Sequence, residues 1–173
     1  MRDATPEDAA ACAEIYAEHV LGGWATFEVD PPGVAETARR IAVAQQRHAW
    51  LVAEEGGRVV GFAYASAFRP RPAYRWTCET TVYLASAATG RGTGRRLYGE
   101  LLRRLTDRGL LTAMAAVAQP NPASEALHAS LGYRRVALLP RAGWKLDGWH
   151  DVAWLSRTLG EGPQDGPAPP EPR

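Results

Sequence analysis

The segment Thr89-Gly90-Arg91-Gly92-Thr93-Gly94 places three alternating glycines between two regularly patterned runs. Before it, Trp76 to Leu84 alternates and carries β-branched Thr77, Thr80, Thr81 and Val82, the pattern of a strand. After it, Leu97, Tyr98, Leu101, Leu102 and Leu105 mark an amphipathic helix over Arg95 to Arg108, closed by Gly109. Glycines at such a strand-to-helix turn let the backbone approach a ligand closely, and the helix adds its positive N-terminal end. Together these features suit a pyrophosphate. A P-loop would close on Lys-Ser or Lys-Thr, whereas Arg95-Arg96 follow here. A dinucleotide fingerprint needs wider glycine spacing and an early strand–helix–strand unit. A tight turn that uses glycine for geometry alone is the remaining reading.

The rest of the chain is built around this turn. Thr5-Pro6-Glu7-Asp8 reads as a helix start with a capping-box pattern, followed by Ala11, Cys12, Ile15, Tyr16 and His19 at helical spacing. Gly22-Gly23 ends that helix, and a second is predicted over about Val34 to Arg47. Trp50 to Glu54 and Arg58 to Ser66 read as strands joined at Glu55-Gly56-Gly57. Phe68 to Tyr74 reads as a loop, Leu111 to Val117 as a buried strand and Asn121 to Leu131 as a short helix stopped by Gly132. Two last strands are predicted near Tyr133 to Leu138 and Val152 to Leu159, with an aromatic loop between them. The order predicts one α/β domain over 1–159 around a mixed sheet. Residues 160–173, rich in proline and glycine, are predicted to be a disordered tail.

Composition narrows the function classes. A formal net charge of +1 argues against nucleic acid or an anionic membrane as partner. No apolar run approaches the roughly 20 residues that span a bilayer, and Met1 to Ala13 is polar and acidic, unlike a signal peptide. Two cysteines, Cys12 and Cys78, are too few for a disulfide framework or a zinc site, so no metal and a reduced, cytoplasmic setting are expected.

The strand, turn and helix resemble the acetyl-CoA motif of the GNAT (Gcn5-related N-acetyltransferase) superfamily. Gly92 and Gly94 match its Gln/Arg-x-x-Gly-x-Gly/Ala pattern, while Thr89 stands where Gln or Arg is usual. Longer strings resemble phosphinothricin N-acetyltransferases: Trp76 to Leu84, the Asn-x-x-Ser-x-x-x-His-x-x-Leu-Gly-Tyr string from Asn121 to Tyr133, and the aromatic segments Arg141 to Lys145 and Gly148 to Val152. The likeness runs from about Thr5 to Leu159, with the family's first strand cut short.

The resemblance implies a GNAT fold: a mixed, mostly antiparallel sheet with flanking helices and two central strands that splay to admit acetyl-CoA. It implies that Val82, Tyr83 and Leu84 offer backbone groups to the pantetheine and acetyl carbonyl. Thr89, Gly90, Arg91, Gly92, Thr93 and Gly94 would hold the pyrophosphate, and Asn121 would touch the pantetheine arm, with Ser130 a further cofactor candidate. Glu79 and His128 are the implied acid/base residues. By residue type alone Glu79 is equally a solvated strand glutamate, and His128 a helix-surface histidine able to titrate near neutral pH. Direct attack is implied, since Cys78, the nearby thiol, alternates to the face opposite Glu79. Phe27 and Tyr74 match positions that wall the acceptor pocket, with core packing as the other reading. Arg71 and Arg75, ahead of Arg69, are candidates to grip an acidic acceptor, or else are solvated loop arginines. The implied reaction acetylates the α-amine of a small polar amino acid of the phosphinothricin, methionine sulfoximine or methionine sulfone type, in detoxification or resistance, by a homodimer. Another amine acceptor (a protein N-terminus, a polyamine, an aminoglycoside) and a non-catalytic acyl-CoA-binding domain are the alternatives.

Overall fold

The computed structural model describes residues 1–163 and 168–172, so part of the segment predicted to be disordered lies outside the described residues. A two-residue strand β1 (Arg2–Asp3) leads into a 3-10 turn over Pro6–Asp8 and then helix α1 (Ala9–Gly22). The capping signal read at Thr5 is physical: the Asp8 carboxylate accepts the Thr5 amide at 2.7 Å and is clamped by both terminal nitrogens of Arg2 at 2.6 and 2.8 Å. Helix α2 (Val34–Arg47) follows, then the hairpin β2 (Trp50–Glu55) and β3 (Arg58–Ala67), turning on Gly56 and Gly57. Next come β4 (Thr77–Leu84), α3 (Thr93–Asp107), β5 (Thr112–Ala118), α4 (Pro122–Ser130), β6 (Arg134–Lys145) and β7 (Gly148–Thr158).

The strands form one seven-stranded sheet in the order β1-β2-β3-β4-β5-β7-β6. Every neighbouring pair is antiparallel except β4 and β5, which run parallel because α3 crosses between them. One face carries α3 over a core of Leu97, Tyr98, Leu101, Leu102, Leu105, Cys78, Ala113 and Ala115. The opposite face carries α1 and α2 over Trp50, Val52, Phe62, Ile15, Tyr16 and Ile41. Period-2 alternation in β4 divides its side chains between these two layers. Cys78 and Thr80 sink beneath α3, and Tyr83 meets Tyr16 and Phe62 on the other side.

The parallel pair positions the site. Its ladder is confined to Thr77–Thr112, Cys78–Ala113 and Glu79–Met114, although β4 continues to Leu84 and β5 to Ala118. Beyond Glu79 the two strands part, while each keeps its outer partner: β4 stays paired with β3, and β5 with β7.

The C-terminal region corrects the sequence reading. The segment expected to be an aromatic loop belongs to a long β6–β7 hairpin, with Trp144 opposite Trp149 and Gly143 opposite His150. The Pro140-to-Gly143 punctuation is absorbed by a register shift between Leu139 and Gly143, where Arg141 takes a positive φ of 51°. Among tail residues that are described, the Pro170 carbonyl accepts the Trp76 indole N–H at 3.0 Å, and Glu171 pairs with Arg75 at 2.7 Å.

Candidate active site

Where β4 and β5 separate, a cavity of about 840 Å³ opens. It extends from the glycine turn and the start of α3, along the inner edge of β4, to Glu79, with Ala116, Val117 and Ala118 of β5 on the far wall. A smaller void of about 10 Å³ beside Cys12 and Trp50 has room for about one water and no reacting group.

At the α3 end, Gly92 is the N-cap with φ of 76°, a left-handed conformation that a side-chain-bearing residue adopts at a cost of roughly 1 kcal/mol or more. The first amides of α3 have no acceptor within the helix, and Thr89, Gly90, Gly92 and Gly94 line the cavity. Arg91 and Thr93 turn the other way. The Thr93 hydroxyl is buried and donates to Glu55 at 3.0 Å, and Arg91 lies 3.9 Å from the same carboxylate. Arg95, which the sequence reading used only to exclude a P-loop, lines the cavity and brings a cation to this end.

Along the middle, Val82, Tyr83 and Leu84 contribute to the wall. The His19 ring, tilted against Tyr83, bonds the Leu84 carbonyl at 2.8 Å, so one of the expected backbone contacts already has a protein partner. Asn121 caps α4 by accepting the Ser124 amide at 3.0 Å, which leaves its Nδ2 as the donor for a ligand. Ser130 is on the exposed side of α4 with its hydroxyl on the Leu127 carbonyl, and stands outside the cavity. Ser124, three residues after Asn121, is the serine that lines it.

At the other end Glu79 and Thr81 share the wall with Tyr64, Thr26 and Phe27. Burial pushes the Glu79 carboxyl above the usual glutamate range, and the nearby charge of Arg69 opposes that shift. Arg69 is held by cation–π contacts, 4.3 Å over Phe68 and 5.5 Å from the Trp154 ring. The two loop arginines ranked first by sequence do not reach the cavity. Arg71 is exposed, Arg75 stacks on Trp76 and pairs with Glu171, and Arg69 too stands outside the lining. Tyr74 is 40% exposed with its ring edge against Phe68, also outside the lining.

His128 is buried on α4 and reaches the cavity wall beside Ser124 and Leu127. Its Nδ1 lies 2.7 Å from the Ser124 carbonyl and 3.3 Å from the Ser124 hydroxyl, and its Nε2 is 3.1 Å from the Tyr98 hydroxyl. Burial draws its pKa below the ordinary histidine value, against the Ser124 carbonyl bond that raises it. Cys78 sits beneath α3, on the face of β4 opposite Glu79, with its thiol pushed up to about 12 by burial, unsuited to act as a nucleophile. Among the described residues no His, Cys, Asp and Glu side chains are grouped to hold a metal ion. No helix among them is long and apolar enough to cross a membrane.

A sheet opened between its parallel strands beside a glycine-capped helix defines a class, and the chain belongs to the acetyltransferase (GNAT) family, whose model matches residues 11–133. It is 37% identical to a phosphinothricin N-acetyltransferase of Streptomyces viridochromogenes, over 99% of this chain and 91% of that one. It is 33% identical to an L-methionine sulfoximine/L-methionine sulfone acetyltransferase of Salmonella typhimurium, over 93% and 95% of the two chains. A crystal structure of a phosphinothricin acetyltransferase from Sinorhizobium meliloti in complex with acetyl-CoA superposes with a TM-score of 0.92 at 41% identity, covering 96% of this chain and 91% of that one. Within the family, its branch is therefore the phosphinothricin N-acetyltransferase-like one.

Proposed function

We propose that the chain transfers the acetyl group of acetyl-CoA to the α-amine of a small polar amino acid of the phosphinothricin, methionine sulfoximine or methionine sulfone type. The observation that carries this reading is the three-rung seam between β4 and β5, which leaves open a single cavity running from the start of α3 to Glu79. The residues present suit acetyl-CoA. Free amides of Gly90 to Gly94 and the Arg95 cation meet a pyrophosphate, the inner edge of Val82 to Leu84, unpaired with β5, meets amide-bearing pantetheine except at the Leu84 carbonyl that His19 holds, and Asn121 adds a side-chain donor. When bound, acetyl-CoA supplies an activated acetyl group on a thiol that leaves.

The remaining chemistry is proton handling by this chain. At pH 7 a peptide-like α-amine costs about 1 kcal/mol to deprotonate and a lysine-like amine about 4.6, at ~1.4 per pKa unit. Glu79, half-buried at the acceptor end, accepts the amine proton, and the charge of Arg69 opposes the upward shift that burial gives its carboxyl. His128 returns a proton on the sulfur side. Phe27 walls the acceptor.

A panel of amines incubated with acetyl-CoA, read by free thiol release, tests the substrate class. Phosphinothricin or methionine sulfoximine is expected to be turned over at least about tenfold faster, by kcat/KM, than peptides, polyamines or aminoglycosides. Turnover of peptides alone would remove the substrate assignment and leave the fold. Such an activity would serve detoxification of amino-acid analogues inside the cell.

The working unit we propose is a homodimer. In support, the β6–β7 hairpin exposes five large apolar side chains, Val136, Leu138, Leu139, Trp144 and Trp149, and exposed apolar groups gathered on one element suit an interface. Sedimentation is expected to return twice the chain mass, and Trp149→Glu to return the single mass. A monomer at micromolar concentration would overturn the dimer.

A further inference from the structure

A chain of buried hydroxyls runs inward from His128. Its Nε2 meets the Tyr98 hydroxyl at 3.1 Å, and that oxygen lies 2.7 Å from Thr80 Oγ1. Thr80 Oγ1 is in turn 2.7 Å from the Tyr133 hydroxyl and 2.9 Å from the Met114 carbonyl. Tyr98 is wholly buried, and its ring meets the His128 ring edge-on at 5.2 Å.

Proton counting orders the chain. The Ser124 carbonyl at 2.7 Å from Nδ1 only accepts, so Nδ1 carries a hydrogen whether His128 is neutral or charged. At the far end the Met114 carbonyl only accepts, so when the Thr80 hydrogen points to it Thr80 Oγ1 accepts from both Tyr98 and Tyr133. Two hydrogens then have a choice of direction, those of Tyr98 and Thr80. When His128 is neutral, the Tyr98 hydrogen points to the Nε2 lone pair and the Thr80 hydrogen turns to the Tyr98 oxygen. When His128 is an imidazolium, the Tyr98 hydrogen swings to Thr80, the Thr80 hydrogen to the Met114 carbonyl, and the Tyr98 oxygen receives Nε2–H. Both arrangements place one hydrogen in each side-chain contact of the cluster, and they differ by concerted rotation of the Tyr98 and Thr80 O–H bonds.

The requirement is a strict one, because a buried donor or acceptor left unmatched costs more than a hydrogen bond normally contributes. The groups that face the His128 ring are the Tyr98 and Tyr133 rings, with the Ser124 carbonyl and hydroxyl on its own helix. Among the described residues no carboxylate, lysine or arginine bonds the ring, so no fixed charge selects one state.

We propose that Tyr98 is a positioning residue for acetyl transfer, its hydroxyl acting as a rotor that holds neutral His128 in the Nδ1–H tautomer and accepts Nε2–H when a second proton arrives. The proposal rests on the reading of His128 as an acid/base residue. It assigns a chemical task to a helix residue that packing alone would otherwise explain.

The test is histidine-selective nitrogen NMR on the full chain, whose four histidines allow His128 to be assigned by His128→Gln. Wild type is expected to show the Nδ1–H tautomer in its neutral form. Tyr98→Phe, which keeps the ring, is expected to lower the His128 titration midpoint by about one pH unit, because the bond to the charged form is the stronger one lost. Its kcat is expected to fall about tenfold, with KM for acetyl-CoA changed less than about twofold. Tyr133→Phe removes a hydroxyl from the same cluster without touching Nε2, and is expected to leave the His128 titration in place. Circular dichroism checks that both variants fold. An unmoved midpoint and tautomer in Tyr98→Phe would overturn the rotor, as would an equal shift in Tyr133→Phe, which would mark a general effect of burial. Wild-type kcat in His128→Gln would instead overturn the acid/base reading, an outcome separate from either NMR result.

Discussion

Glu79→Gln is expected to lower kcat at pH 7 by roughly 10²- to 10³-fold, the usual contribution of a positioned general base, and to leave acetyl-CoA affinity unchanged. The substitution is isosteric and keeps a polar group on the cavity wall, so the loss reports the ability to take a proton. The pH dependence has a definite sign. The base works ionised, so the rate falls as pH drops through the Glu79 pKa, and burial has moved that pKa upward from the ordinary glutamate value. The acidic limb of kcat/KM therefore lies at higher pH than a solvent-exposed glutamate would give. In Glu79→Gln that limb disappears, and the ionisation of the amine itself governs what activity is left. Rates measured across pH with the amine well below its KM decide the matter. A variant within about threefold of wild type would mean that desolvation alone deprotonates the acceptor.

Gly61→Ala is the second large effect expected, and it acts through backbone. Gly61 on β3 is paired with Leu84 of β4, and a Cβ there would stand 2.3 Å from a Leu84 methyl and 2.9 Å from the Tyr83 carbonyl. Leu84 can turn away, but a main-chain carbonyl in a sheet cannot without moving the strand. That strand end forms the middle of the cavity wall. A stability loss of about 1–3 kcal/mol is expected from overpacking, together with roughly tenfold or greater weakening of acetyl-CoA binding by calorimetry. Gly99→Ala is the control. It lies inside α3 with a Leu131 methyl at an ordinary 3.8 Å, so the same added methyl should stabilise by about 0.5–1 kcal/mol and leave binding alone. Wild-type melting and binding in Gly61→Ala would show that β4 is free to shift.

The contrast between these glycines also shows how far the sequence could be read. Gly90, Gly92 and Gly94 were legible because three glycines between a strand pattern and a helix pattern have few other uses. Glu79 stood out as a carboxylate in a strand otherwise free of charge. The aromatic hairpin was misread because Pro140, Gly143 and Gly148 punctuate it as a loop would, and a bulge that keeps strands paired across such residues is a tertiary event. A loop sequence does not say which way Arg69, Arg71 and Arg75 point, and none of the three lines the cavity. The contact of Arg69 with Trp154 joins residues far apart in the chain. Tyr98 was hidden for the opposite reason: it falls on the apolar stripe of α3, where a tyrosine looks like core until its hydroxyl is traced to His128. Ser124 appeared within a motif, while Ser130 was singled out. Helical phase around Asn121 could have separated them, since Ser124 is one turn on and Ser130 points to solvent.

A sheet whose two halves share only three rungs leaves a seam, and a ligand that fills the gap touches both sides of it. At a hundred times its dissociation constant such a ligand adds about 2.7 kcal/mol to the folded state. The abundance of the acetyl donor would thus set how firmly the molecule is held together as well as how fast it works, linking the lifetime of the protein to the metabolic state that feeds its reaction.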